Sequence, residues 1–165
     1  MSRMFGFRFL GSMIGALALC VALASCGKKG TRDMARAEVS PSDSVLVSVE
    51  LNEGSYAIGE PMVVRLIASN TTGRNLNLTF PTAQRFDFIV RQDKRVIWQW
   101  SHEKAFAQVT GRQSVRPGDS ISYEYKWDQK LPDGTNPDLG AYTIQAILMT
   151  QPKFRSGQKR FGVVD

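Results

Sequence analysis

Histidine and cysteine, on which most metal centres and many nucleophilic sites depend, are nearly missing: the chain has one histidine, His102, and two cysteines, Cys20 and Cys26. A lone imidazole with no cysteine near it does not assemble a zinc site. A Ser-His-carboxylate hydrolase would have to use His102, yet no G-x-S-x-G elbow occurs in the body of the chain. A glycine-rich phosphate loop of useful spacing is also missing, and nothing in the pattern of acidic residues favours the paired carboxylates of a glycosidase. Beyond the first segment no stretch keeps a helical period, which excludes helical bundles and alternating helix–strand folds. Charge of one sign is not concentrated anywhere: 21 basic residues are scattered among 15 acidic ones, so the net +6 reads as a solvated surface and not as a nucleic-acid footprint. Together these absences predict a non-catalytic protein with no cofactor and no metal.

What is present begins with an export signal. Arg3 and Arg8 form a positive start, and from Phe9 no charged side chain appears until Lys28. The run ends in Leu23-Ala24-Ser25-Cys26-Gly27, which resembles the lipobox of bacterial lipoproteins. By that resemblance the small side chains of Ala24 and Ser25 admit a signal peptidase, cleavage falls between Ser25 and Cys26, and the Cys26 thiol carries the lipid. The expectation is therefore a signal peptide over residues 1–25, a lipid anchor on Cys26 and no nucleic-acid partner. An uncleaved membrane span is the alternative, because about 17 to 25 apolar residues suffice to cross a bilayer. Gly27 resembles the residue that follows the cysteine in lipoproteins sent to the outer membrane, where the host has two membranes. Cys20 would leave with the leader and Cys26 would be consumed as a thioether, so stability must come from apolar burial and not from a disulfide.

Residues 26–42 are polar and lack periodicity, as expected of a lipidated cysteine followed by a flexible stalk reaching on the order of 20 Å. The period then becomes two: Val45, Val47, Val49 and Leu51 fall on one face, with Leu46, Ser48 and Glu50 opposite. The same alternation predicts strands over 62–69, 75–80, 86–91, 95–100, 107–109, 120–127, 141–150 and 159–164. Thr72-Gly73 reads as a hairpin turn, Gln92-Asp93-Lys94 as another tight connection, and Pro117-Gly118-Asp119 as a strand start. The stretch 132–140 is the longest loop-like run. Short strands with turns between them predict an all-β, immunoglobulin-like antiparallel sandwich over residues 43–165.

Several segments in order resemble the bacterial intracellular proteinase inhibitor (BsuPI) domain: Asn77-Leu78-Thr79-Phe80, then Gln84-Arg85-Phe86-Asp87-Phe88-Ile89-Val90, then Val96-Ile97-Trp98-Gln99-Trp100-Ser101 with Phe106-Ala107-Gln108. The series continues through Val115-Arg116-Pro117-Gly118-Asp119, Tyr123-Glu124-Tyr125-Lys126-Trp127-Asp128 and Gly140-Ala141-Tyr142-Thr143-Ile144. The resemblance implies a protein-binding sandwich whose loops occlude a proteinase cleft. It identifies no reactive-site residue to carry over. Residues 131–139 and 101–105 are the candidate loops. A scaffold or adhesion module of the cell envelope is the alternative reading, with an envelope protein as partner.

Aromatic residues recur in pairs on single strand faces: Phe86 with Phe88, Trp98 with Trp100, and Tyr123 and Tyr125 with Trp127. They fit inward core positions, since a sandwich without disulfides needs their apolar area; the alternative is an exposed platform for sugar or peptide. Asp133, Asn136 and Asp138 place oxygens beside Gly134 without the alternate spacing of a calcium loop, so a turn explains them. The sequons Asn70-Thr71-Thr72 and Asn77-Leu78-Thr79 read as coincidence in an exported bacterial chain.

Overall fold

The computed structural model describes residues 45–165. The leader, the Leu23-Ala24-Ser25-Cys26 segment and the stalk over 26–42 lie outside the described residues. Eleven strands follow in order: β1 (Val45–Leu51), β2 (Ser55–Ala57), β3 (Met62–Asn70), β4 (Leu76–Phe80), β5 (Phe86–Gln92), β6 (Arg95–Gln99), β7 (Gly111–Val115), β8 (Ser120–Trp127), β9 (Gly140–Leu148), β10 (Phe154–Arg155) and β11 (Lys159–Val164). They form an all-β sandwich. One sheet has the order β1-β3-β8 and the other β2-β11-β9-β5-β6, with β10 paired to β9; β4 and β7 make a separate two-stranded ladder. All pairings are antiparallel except β2 with β11.

The period of two explains this layering. Along β1 the valines at 45, 47 and 49 are buried while Leu46, Ser48 and Glu50 are exposed, and β3 buries Met62, Val64, Leu66 and Ala68 in the same rhythm. The opposite sheet contributes Phe88, Val90, Ile144, Ala146, Leu148, Phe161 and Val163 to the same cluster. One apolar core therefore lies between the sheets. The β4–β7 ladder adds Leu78, Phe80 and Val115 to it. Gly111 at the start of β7 leaves room for the Arg85 guanidinium, which lies 4.6 Å above the Phe80 ring and would have to shift to admit a Cβ there.

Two expectations are corrected. The predicted strand at 107–109 is absent; Val109 is 64% exposed, and the strand lies at Gly111–Val115 instead. The partner decides this: β4 pairs Phe80 with Gly111 and Leu76 with Val115, while Ala107 is met only beyond that ladder, its carbonyl accepting from the Ala83 amide at 2.9 Å. Thr72-Gly73 does not close a hairpin. It carries the chain from β3 in one sheet to β4 in the two-stranded ladder. Asn70 organises that crossover: its Nδ2 donates to the carbonyls of Arg74 at 2.8 Å and Val115 at 2.9 Å, and its Oδ1 accepts from the Thr72 amide at 2.9 Å. Its backbone binds the turn before β8, accepting from the Gly118 amide at 3.0 Å and donating to the Asp119 carbonyl at 2.9 Å. Such a fully engaged, buried asparagine is a structural bracket and not a glycan acceptor. The short strands β2 and β10, unforeseen from periodicity, owe their conformation to the neighbours they pair with.

Candidate binding surface

The two candidate loops converge on β6. This strand ends its sheet, pairing with β5 alone among the described residues. A bulge between Val90 and Arg91 lets Ile97 and Trp98 together span a single step of β5, which turns Trp98 inward and leaves Val96 47% exposed. The turn over Gln92-Asp93-Lys94 is tight as expected, with Asp93 at a φ of 51°.

Beyond β6, residues 101–105 fold back under the control of one buried side chain. Asp87 on β5 is 2% exposed, and its Oδ2 accepts from Gln99 Nε2 and from Ser101 Oγ, each at 2.6 Å. Its Oδ1 accepts from the amides of Ser101 at 3.1 Å and Phe88 at 3.0 Å. Two successive turns follow, His102 N–H to the Gln99 carbonyl and Lys104 N–H to the Ser101 carbonyl, both 3.1 Å, and Glu103 takes a left-handed φ of 62°. Sequence reasoning missed Asp87. A signal was available, since a lone acid inside Phe86-Asp87-Phe88-Ile89-Val90 has no place in a buried strand without several donors.

Residues 131–139 are held as firmly. At their base Gln129, 1% exposed, donates from Nε2 to the carbonyls of Ala57 at 2.8 Å and Glu60 at 2.7 Å, and Trp127 Nε1 donates to the Lys130 carbonyl at 3.1 Å. The Leu131 amide reaches the Thr135 carbonyl at 2.9 Å, and the Tyr142 hydroxyl donates to the Asp138 carbonyl at 2.6 Å. Asp133 forms the turn expected of it: its Oδ1 accepts from the Thr135 hydroxyl at 2.7 Å and amide at 2.9 Å, bonds that hold its carboxyl below the usual range. Among the described residues no three His, Cys, Asp or Glu side chains are placed to hold a metal ion. His102 lies exposed in the other loop, 3.6 Å from Glu103.

Between these loops runs a groove along β6. Its wider part, about 430 Å³, is walled by Arg95, Val96 and Ile97 on one side and by residues of 131–138 on the other. A smaller cavity of about 120 Å³ is lined by Trp98, Trp100, Lys104, Tyr125 and Lys130. Leu131 and Pro132 line both, so the two lie side by side. The aromatic pairs read from sequence merge here into one array. Trp98 stacks on Trp127 at 4.6 Å and on Tyr125 at 6.0 Å, while Trp100 packs on Phe86 at 4.3 Å and Phe106 at 5.7 Å. Phe88 and Trp127 are core; Trp98, Trp100, Tyr123 and Tyr125 are only partly buried and close the edge where the two sheets meet.

Fold and surface together define a β-sandwich module that presents preorganised loops beside an open strand edge. Residues 49–153 match the model of the BsuPI family, described as intracellular proteinase inhibitor, and the chain belongs to this family. No curated protein matches the chain. Among solved structures it is similar to Spo0M, a sporulation control protein from Bacillus subtilis (16% identity, TM-score 0.46, covering 74% of this chain and 50% of that one). It is also similar to the CARDB domain of PF1109 from Pyrococcus furiosus (12%, 0.43, 73% and 93%) and the β-glucosidase EmGH1 from Erythrobacter marinus (14%, 0.45, 73% and 15%). The chain thus spans half of Spo0M and a small part of the glucosidase.

Proposed function

We propose that this protein is a membrane-tethered proteinase inhibitor that binds its target through the rim formed by residues 101–105, β6 and residues 131–139. The observation that carries the reading is the convergence of both loops on one strand edge, each braced by buried hydrogen bonds before any partner arrives. Loops already held in place lose little conformational freedom on docking, which is the physical requirement for tight occlusion of a cleft. Membership of the proteinase-inhibitor family supports the same reading, with the sandwich binding and not cleaving its partner.

The lipobox-like Leu23-Ala24-Ser25-Cys26 supports an anchor in the cell envelope and, with it, a target met outside the cytoplasm. Titrating the full chain, purified in detergent, against a panel of serine, cysteine and metalloproteinases tests the proposal. Inhibition of at least one enzyme at micromolar protein, weakened by substitutions at Glu103 or Pro132, is the expected outcome. Full activity across the panel overturns the inhibitory role.

A further inference from the structure

We propose that β6 takes up an extended, carboxylate-bearing segment of a partner polypeptide as an added strand. This rests on the protein-binding reading above and names the chemistry of the segment bound. The outer edge of β6 joins no ladder among the described residues, and no backbone hydrogen bond links it to residues 131–138 across the groove. An open strand edge offers a row of amide and carbonyl groups that only another extended backbone satisfies in register. The five residues of Arg95–Gln99 span about 17 Å at ~3.3 Å per residue, so the groove accepts a strand of similar length.

The side chains narrow the choice of occupant. At the Trp100 end, Lys104 and Lys130 line the smaller cavity and neither makes an ion pair among the described residues. The Lys104 ammonium lies 5.2 Å from the Trp100 ring centroid, and the nearby Glu103 carboxylate is turned toward His102 at 3.6 Å. Trp100, in the same wall, carries a buried Nε1–H with no acceptor among the described residues. Two ammonium groups over an aromatic floor complement a carboxylate. At the other end exposed Arg95 lines the wider part together with the Asp133 and Asp138 carboxylates, so the preference for a carboxylate rests on the Trp100 end. Exposed Val96 and half-buried Leu131 between the ends suit apolar side chains at alternate positions of the incoming strand. The bulge, which adds local twist to the strand, disfavours flat pairing with the same edge of a second copy.

The probe is a blocked heptapeptide of alternating threonine and valine with glutamate at each end, titrated by calorimetry into the full chain in detergent. Binding is expected to protect the amides of Arg95–Gln99 from hydrogen exchange. It should weaken about tenfold or more when alternate peptide amides are N-methylated, and by a similar factor in K104E/K130E, both exposed positions whose variant is checked for an unchanged circular dichroism spectrum. A lysine-ended version of the peptide should bind K104E/K130E better than the native protein. Equal binding of the acidic and basic peptides, protection confined to another strand, no binding at millimolar peptide, or a β6-mediated dimer that the peptide does not dissociate would each overturn the inference. Peptide binding without inhibition of any proteinase removes the inhibitory role and leaves the strand site standing; inhibition without peptide binding does the reverse.

Discussion

Asp87 shows how much one residue decides here. Four donors converge on a carboxyl that is almost wholly out of water, and two of them belong to Ser101, the first residue of the loop beyond β6. Removing that acceptor leaves buried amide and hydroxyl groups without partners, at roughly 1–3 kcal/mol for each such group. Asp87→Ala is expected to lower stability by about 3 kcal/mol in urea denaturation and to speed exchange of the Ser101 amide. A change below ~0.5 kcal/mol would show that the loop does not depend on it. Asp87→Asn keeps an acceptor and should recover part of the loss. That Asp87 needs donors is legible in its apolar strand, but which residues supply them, like the bracket at Asn70, is not, because the partners lie up to 14 and 45 positions away.

β8 shows the same contrast at the level of an element. Its alternation Ile121, Tyr123, Tyr125, Trp127 was readable as one inward face, and the structure places all four against the opposite sheet or its edge. What those tyrosines experience was not readable. Burial pushes the phenols of Tyr123 and Tyr125 above their usual range, with Arg85 opposing the shift at Tyr123 and Asp128 reinforcing it at Tyr125. Their folded-state values are raised, so the stabilisation is fully present below the ordinary tyrosine value of about 10 and is lost as pH rises through the folded value. The urea midpoint is expected to fall as the pH rises above about 10, and less steeply in Tyr125→Phe than in the native protein. Equal slopes for the two proteins would remove Tyr125 from the account. The misplaced strand at 107–109 belongs to this scale too: three residues alternate well enough to read as a strand, but only the ladder with β4 selects Gly111–Val115.

For the whole molecule, the proposed anchor and the sandwich are separate claims with separate tests. Mass spectrometry of the protein recovered from cell membranes is expected to show a chain beginning at a lipid-modified Cys26. An unmodified amino terminus at Met1 would sink the tether and leave the binding groove untouched. The all-β class, the positions of the longer strands and the family followed from the amino-acid order alone, because a two-residue period states which side of each strand is apolar wherever it pairs. Which strands end their sheets is not written in that period. Tertiary structure alone made β6 an edge, brought residues 131–139 alongside it and 101–105 to its end, and merged three aromatic pairs into one array. An edge is a missing neighbour, and neighbours in a sheet are set by the path of the entire chain.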